Sequence, residues 1–277
     1  MKPMTAQEAI AEVLSTNPIF TVGLRKIRGI DYPVFVNIPK DLGALLHASH
    51  EAQAGGTAEF LVHGSRRWSY DEYCKDVAHV AALLSREYGV RQGTRVALAM
   101  RNCPEMLILM MAIASLGAVV VFLNAWWTGD ELNFALRNAE AKLVFADTDR
   151  VARLDASKEA LTLVDVTADT GLSVLETDVM QGYCAPAPRL PIDPDSDFAI
   201  MYSSGTTSHP KGVALTHRGA VNAVYTWLLQ AVIAPMVTPP EDPDAPPIRP
   251  VTLITTPLFH VTATHPGFLL SIPAGAK

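Results

Sequence analysis

A cluster of hydroxyl groups, with two glycines and one lysine, stands between two apolar runs in the last third of the chain. The apolar runs, residues 198–202 and 213–215, are typical of buried strands. Glycines let backbone N–H groups approach an anion closely, hydroxyls donate hydrogen bonds, and a lysine adds a compact positive charge. The composition therefore indicates a loop that wraps polyphosphate. The residues that could bind such an anion are Ser203, Ser204, Gly205, Thr206, Thr207, Ser208, Lys211 and Gly212.

Two other kinds of loop share part of this composition. A Walker A loop has Gly-Lys followed by Ser or Thr at the start of a helix. Here Pro210 precedes Lys211, Gly212 follows it, and the next run resembles a strand, so a Walker A loop is excluded. An ordinary polar hairpin loop is also rich in Ser, Thr and Gly, and composition alone does not exclude it.

Residues 202–212, Tyr-Ser-Ser-Gly-Thr-Thr-Ser-His-Pro-Lys-Gly, resemble the phosphate-loop signature of the adenylate-forming superfamily. This superfamily comprises acyl- and aryl-CoA synthetases, firefly luciferases and the adenylation domains of peptide synthetases, and the chain is most similar to fatty acyl-CoA synthetases. The resemblance extends from about Asp41 to the last residue. One position differs, because Ser208 stands where the family usually has glycine, and a side chain there restricts loop opening or alters nucleotide affinity.

Residues 257–260, Pro-Leu-Phe-His, resemble a second motif of the family, whose histidine or aromatic residue lies beside the acyl group and the phosphates. The resemblance implies that His260 lines the active site. The family usually has a glycine shortly after this histidine, and residues 261–263 supply none, which affects the entrance of the acyl pocket. His217 also matches a family position, and we expect a structural role for it. Residues 116–124 resemble a segment that leads into an early strand of the family fold.

The resemblance also implies a reaction. A fatty or similar carboxylate attacks the α-phosphate of ATP and expels pyrophosphate, and coenzyme A then displaces AMP from the acyl-adenylate. The loop would bind the β- and γ-phosphates together with Mg²⁺, and Lys211 and His260 would be the catalytic residues. No residue of this chain is assigned as a metal ligand, because the acidic magnesium residue of the family comes later in the sequence.

The adenine-binding segment, the ribose-binding aspartate and the domain with the catalytic lysine also come later in the family. We therefore expect these 277 residues to be an N-terminal fragment that is inactive alone. Two alternatives stay open: a ligase that passes the acyl group to a carrier protein or an amine, and a non-catalytic module that binds nucleotide or acyl chains.

Strands alternating with helices predict an α/β fold with a mainly parallel sheet flanked by helices. The pattern predicts a hairpin over residues 58–68 and a helix after residue 104, opened by Asn102 and Pro104. Ser69 and Thr128 each begin a capping box that starts a further helix. Further strands are expected at residues 96–100, 119–122, 143–146 and 161–164, and an apolar strand is expected before His260.

The division into domains follows the prolines. Residues 1–184 are predicted to form a first α/β subdomain, and residues 198–277 to begin a second that carries the phosphate loop. Between them, residues 185–197 hold four prolines and three aspartates, which is typical of a linker between two sheet systems. Residues 235–250, with seven prolines, are predicted to form an exposed loop.

The composition restricts partners and location. A formal net charge of −6 gives no electrostatic reason to expect nucleic-acid binding. Three cysteines without metal-like spacing, and an N-terminus without the apolar core of a signal peptide, favour reduced thiols and a cytoplasmic protein. Residues 106–123 imitate a membrane span, but Gly117 divides them into a helix and a buried strand. Peripheral membrane contact and a homodimer stay open.

Overall fold

The computed structural model of the chain describes residues 3–53, 56–154, 161–167, 191–203, 210–242 and 248–277. Its centre is a six-stranded sheet in the order β10-β9-β6-β5-β7-β8, in which only the edge strand β10 is antiparallel to its neighbour. The predicted mainly parallel α/β fold is therefore confirmed. The strands of this sheet are β5 (Arg95–Ala99), β6 (Val119–Phe122), β7 (Leu143–Ala146), β8 (Thr162–Asp165), β9 (Asp197–Ser203) and β10 (Lys211–Thr216).

Helices cover both faces of the sheet. On one face lie α3 (Tyr70–Glu87) and α4 (Pro104–Ser115), and α4 is buried on every side from Pro104 to Ala114. On the other face lies α5 (Gly129–Ala139), which packs against the alternate residues of the same strands. The apolar run at residues 106–123 is thus a buried helix followed by the buried strand β6, as predicted.

Local signals are reproduced closely. The predicted hairpin forms from β3 (Glu59–His63) and β4 (Arg66–Ser69). Both capping boxes are present: the backbone N–H of Glu72 donates to Ser69 Oγ at 3.2 Å, and Ser69 N–H donates to Glu72 Oε2 at 2.7 Å. Thr128 and Glu131 make the equivalent pair at the start of α5.

A further layer, which the sequence reasoning did not describe, covers one end of the molecule. Helix α1 (Ala6–Thr16) packs against α7 (His217–Val237), and the hairpin β1 (Val22–Ile27)–β2 (Ile30–Phe35) lies beside them. Helix α2 (Leu42–Ala52) also contacts α7. Short helices include α6 (Thr148–Val151).

Helix α7 is the one helix among the described residues that is long and apolar enough to cross a membrane, and 22% of it is buried in the fold. One such helix is weak support for a membrane span, since core helices have the same length and composition. The helix continues through Pro235 to Val237, so the loop predicted from residue 235 begins at Thr238, three residues later than expected. Residues 243–247 of that loop lie outside the described part of the chain.

The Pro/Asp-rich segment does not separate two sheets. Strand β9 follows it and pairs in parallel with β6 from the preceding region, with Val121 opposite Ile200. The expectation of two sheet systems is therefore wrong, because the apolar strand β9 completes the first sheet. Residues 185–190 of the segment lie outside the described residues, and the division into two subdomains stays a prediction.

No strand precedes His260 in the described residues 248–259, where the sequence predicted one. The chain there is held by isolated backbone bonds: Thr252 N–H donates to the Lys277 carbonyl at 2.7 Å, and Lys277 N–H to the Pro250 carbonyl at 2.9 Å. Short helices at Ala263–Phe268 and Leu269–Ser271 follow. A regular strand needs a continuous neighbour, which these single bonds do not provide.

Candidate active site

The flanks of the predicted phosphate loop close a hairpin at the carboxyl end of β9. Ser203, the last residue of β9, lies opposite Lys211, the first residue of β10, and both are exposed. Ser204, Gly205, Thr206, Thr207 and Ser208 lie outside the described residues, so their role stays a prediction. The carboxyl end of β9 adjoins that of β6, since Met201 pairs with Phe122. Ligands of open α/β sheets bind at this edge.

Tyr202 anchors this hairpin to the sheet face covered by α5. Its hydroxyl donates to the carbonyl of Ala135 at 2.9 Å and lies 3.0 Å from Asn138 Oδ1. Burial raises the pKa of Tyr202 to about 12, so the phenol stays protonated and keeps its donor. A Cβ at Gly212 would come within 3.3 Å of the Tyr202 ring, so glycine at this position leaves room for the anchor. Sequence reasoning had assigned Gly212 only to phosphate approach.

The loop that follows β6 carries two tryptophans that point to different neighbours. Trp127 packs edge-to-face on Tyr202, with ring centroids 5.5 Å apart. Trp126 is 58% exposed and packs edge-to-face on Phe259 at 5.2 Å. Asn124 Oδ1 accepts a hydrogen bond from Trp126 N–H at 2.9 Å, which fixes the turn between strand and loop. The loop therefore links the base of the phosphate loop to the segment that contains His260.

Two arginines that follow strand β7 donate hydrogen bonds to backbone carbonyls of this loop. Arg150 is 2% exposed, donates from Nε to the Ala125 carbonyl at 2.8 Å, and contacts both carboxylate oxygens of Asp147 at 3.0 Å. Arg153 donates to the Trp127 carbonyl at 3.0 Å. The buried guanidinium of Arg150 and the exposed one of Arg153 thus each bind a backbone carbonyl of this loop.

The segment before His260 is bound to the end of strand β5. Asn102 lies two residues after Met100, the last residue of the apolar run at 96–100. Its Nδ2 donates to the Thr256 carbonyl at 2.8 Å. Its Oδ1 accepts from Leu258 N–H, also at 2.8 Å. Sequence reasoning expected Asn102 to open helix α4, but the N-cap residue is Cys103, which makes no side-chain cap bond. A partner more than 150 positions away leaves no local signal.

His260 itself is exposed and follows a buried aromatic residue. Phe259 is 3% exposed, and its ring centroid lies 4.6 Å from that of His260. The backbone N–H of His260 donates to the Pro257 carbonyl at 3.0 Å, which closes a turn. His260 and the exposed flank at Lys211 thus lie at the carboxyl edge of the sheet, connected through Phe259 and the two tryptophans. Trp126 and Trp127 were missed by sequence reasoning, although a tryptophan pair directly after a buried strand was a usable signal.

His217 is fully buried, in agreement with the structural role expected for it. Its ring and that of His265 both lie 5.8 Å from the ring of Phe198. Burial lowers the pKa of His217 and the pKa of His265 to about 4, so both imidazoles are neutral at neutral pH. Neither is therefore a source of positive charge for a phosphate.

Two buried cysteines and an apolar cavity lie away from this edge of the sheet. Burial raises the pKa of Cys74 and of Cys103 to about 12, so both are inert thiols; Cys184 lies outside the described residues. Among the described residues no group of three or more His, Cys, Asp or Glu side chains is placed to hold a metal ion. A cavity of about 470 Å³ lies between the β3–β4 hairpin and the C-terminal segment, with Leu107, Leu258 and Phe268 in its walls, and it does not include Lys211 or His260.

Comparison with known sequences identifies the family. The sequence profile of AMP-binding enzymes matches residues 48–277, which is most of the chain. The chain belongs to the AMP-binding enzyme family. The matched residues include β9, β10 and the segment of His260, whereas α1 and the β1–β2 hairpin of this AMP-binding enzyme precede the match.

Curated proteins similar to this chain include CoA ligases. An oxalate–CoA ligase of Arabidopsis thaliana is 30% identical over 207 residues, which are 72% of this chain and 37% of that protein. A crotonobetaine/carnitine–CoA ligase of Shigella flexneri is 29% identical over 219 residues, 76% of this chain and 40% of that protein. The chain therefore spans about two fifths of the length of these relatives.

Solved structures of the adenylate-forming superfamily share the fold. The N-terminal domain of FACL13 from Mycobacterium tuberculosis superimposes with a TM-score of 0.68 at 26% identity, covering 86% of this chain and 56% of that one. VinN superimposes with a TM-score of 0.69 at 20% identity, covering 87% of this chain and 59% of that one, and this likeness concerns the fold alone.

Proposed function

We propose that the full-length protein is an AMP-forming acid–CoA ligase that activates a carboxylic acid with ATP and transfers the acyl group to coenzyme A. The observation that carries this proposal is the family match over residues 48–277 together with the hairpin flanks Ser203 and Lys211 at the carboxyl edge of the sheet. The names of the two curated relatives reported above, both CoA ligases, support coenzyme A as the acceptor.

The proposed roles follow from chemistry and position. The residues of the predicted loop, from Ser203 to Gly212, bind the β- and γ-phosphates. Lys211 stabilises the negative charge that develops on the leaving pyrophosphate. His260 contacts the carboxylate or the acyl-adenylate. The neutral, buried state of His217 supports assigning the site's positive charge to Lys211, which is exposed at the loop. ATP supplies the leaving group, and Mg²⁺ shares the phosphate charge.

We further propose that the substrate is a fatty acid and that the protein is located in the cytoplasm. Peripheral membrane contact and a homodimer stay open. The relatives named above suggest competing substrates, oxalate and crotonobetaine or carnitine, because the chain resembles ligases of these acids. A ligase that uses a carrier protein or an amine as acceptor differs from this proposal only in the second step.

The test is acid-dependent exchange of labelled pyrophosphate into ATP by the full-length protein, followed by thioester formation with coenzyme A. Fatty acids of increasing length, oxalate and crotonobetaine form the panel. Exchange without thioester would favour another acceptor, and binding of nucleotide without exchange would favour a non-catalytic module. We expect the isolated 277-residue chain to show no turnover, since the CoA ligases it resembles are about twice as long; steady AMP release from it would contradict this.

A further inference from the structure

Asn102 is placed as a bridge between the central sheet and the segment of His260. Its amide uses both ends: Nδ2 donates to the Thr256 carbonyl and Oδ1 accepts from Leu258 N–H, each at 2.8 Å. Two bonds from one planar amide fix the orientation of a backbone segment as well as its distance. Such a bridge requires that the side chain does not cap α4, and the N-cap position of that helix is one residue later, at Cys103.

The bridge is rigid on the side of the sheet. Strand β5 lies between β6 and β7 and is buried along its whole length from Val96 to Ala99. Arg101, the residue before Asn102, is also bound to the end of the neighbouring strand β7. Its backbone N–H donates to Asp147 Oδ2 at 3.0 Å. Asn102 therefore follows a buried strand and a hydrogen-bonded residue, which is typical of a stable part of a fold.

The bridge is also close to His260 along the chain. Leu258, which Asn102 holds, is 2% exposed and is followed by Phe259, 3% exposed. His260 is the next residue, and its N–H is bonded to the Pro257 carbonyl between the two anchored positions. Residues 250 and 252 bond to the backbone of Lys277, whereas Thr256 and Leu258 are held by the two bonds from Asn102.

We propose that Asn102 is a positioning residue for the reaction, which acts by holding residues 256–258 so that His260 faces the site at the sheet edge. The inference rests on the proposed function of His260. Asn102 does not contact the substrate; it fixes the height and rotation of the turn that carries the imidazole. Trp126, packed on Phe259 at 5.2 Å, supports the same turn from the loop after β6 and is independent of Asn102.

The variants are Asn102→Ala, which removes both bonds, and Asn102→Asp, which keeps an acceptor for Leu258 N–H and loses the donor to Thr256. The matched control is Asn222→Ala. Asn222 also bonds two backbone groups, the Phe35 N–H at 2.8 Å and the Arg218 carbonyl at 3.0 Å, but it lies in α7 away from the site. In the full-length protein we expect both Asn102 variants to lower kcat on the order of 10-fold, as small displacements of a reacting group do, while the KM for ATP changes little.

A double-mutant cycle with His260→Ala tests the route of the effect. If Asn102 acts through His260, Asn102→Ala changes kcat by no more than about twofold in the His260→Ala background, because the group it positions is gone. A full additional loss in that background, or an unchanged kcat in the single Asn102 variants, would overturn the proposal.

A readout without activity separates this inference from the proposed function. In protein labelled with ¹³C-histidine, the ring signal of His260 is assigned by its loss in His260→Ala. We expect this signal to shift in Asn102→Ala and to stay in place in Asn222→Ala. If the wild type forms no acyl-adenylate but the signal shifts as expected, the proposed function fails and the bridge stands. An unmoved signal in Asn102→Ala overturns the bridge whatever the activity.

Discussion

The backbone N–H of Leu42 donates a hydrogen bond to Nδ1 of His217, 3.3 Å away. The bond joins the first residue of α2 to the first residue of α7, so it links two helices that are 175 positions apart in sequence. It also fixes the tautomer, because an accepting Nδ1 leaves the proton on Nε2. That nitrogen is buried and has no hydrogen-bond partner among the described residues. A proton on Nδ1 would break the bond and place a charge in the core.

Stability should therefore fall on acidification. The pKa of His217 and that of His265 are lowered by burial from 6.5 to about 4 in the folded chain. Between these values the unfolded chain binds more protons than the folded chain, so the free energy of unfolding decreases as the pH falls from 6.5 towards 4. Since one pKa unit corresponds to about 1.4 kcal/mol, each imidazole contributes on the order of 3 kcal/mol over this window.

The measurement is the urea midpoint of the chain as a function of pH. His217→Asn keeps an acceptor near Leu42 but does not titrate, so it should flatten the decrease between pH 6.5 and 4. His63, exposed in the β3–β4 hairpin, gives the matched control His63→Asn, which should keep the slope of the wild type. A slope in His217→Asn as steep as in the wild type would show that this imidazole does not couple protonation to folding.

Lys211→Ala should slow acyl-adenylate formation by the full-length protein on the order of 10²-fold, as the loss of one charge-stabilising donor does. The residue is exposed at the first position of β10, opposite Ser203, so its removal leaves the sheet intact. Pyrophosphate exchange measures the step directly. Exchange at the rate of the wild type would remove Lys211 from the mechanism, and Lys142→Ala, on another edge of the sheet, serves as the control.

His260→Ala should lower turnover and leave the apparent KM for ATP within a few-fold of the wild type. The reason is that His260 belongs to a different segment from the phosphate loop, and among the described residues aromatic packing through Trp126 and Trp127 links this segment to the base of the loop. Initial rates at varied ATP and acid concentrations separate the two constants. A large rise in the KM for ATP alone would assign His260 to nucleotide binding.

Arg150→Ala should destabilise the chain by about 3–5 kcal/mol, the usual result of removing one partner of a buried ion pair. Asp147 would lose the Arg150 guanidinium and keep the Arg101 N–H, and the Ala125 carbonyl would keep only the longer bond of 3.3 Å from Arg153. Arg150→Lys should recover little of this loss, since an ammonium cannot reproduce the planar set of donors. Arg67, half exposed and paired with Glu59 at 3.1 Å, provides the control Arg67→Ala, for which the urea midpoint should hardly move. Equal midpoints in the two alanine variants would contradict the role given to Arg150.

What could be predicted from the sequence was mostly local. The pair Ser69 and Glu72 is a capping box because its two members lie three residues apart, and this local spacing located the start of α3. The role of Asn102 could not be read in this way, since its partners Thr256 and Leu258 are distant in sequence and the nearby helix start offered a plausible local explanation. For the same reason Gly212 was assigned to the ligand, when the atom nearest to its missing side chain belongs to Ile200 and the next to Tyr202.

The site shows the same division. The residue types of the phosphate loop and His260 were visible as motifs, and the sheet edge that holds their flanks followed from the parallel fold. The support of that edge was not visible, because Arg150 and Trp126 belong to no motif and gain their importance from what they touch. The strand expected before His260 is absent, and the apolar run there is not buried either: Val251 is 71% and Leu253 85% exposed. An apolar run forms a strand only where a neighbour in register is present.

Helix α4 has no solvent-facing side from Pro104 to Ala114. An ordinary surface helix can accept polar replacements on half of its positions, whereas each position of α4 touches the core. A complete substitution library scored for folding should therefore show a continuous block of intolerance over α4, in contrast to a periodic profile over α3. Adaptation of this protein to a new temperature or salt concentration must then proceed through its outer helices and hairpins, because almost every substitution in α4 would disturb the core.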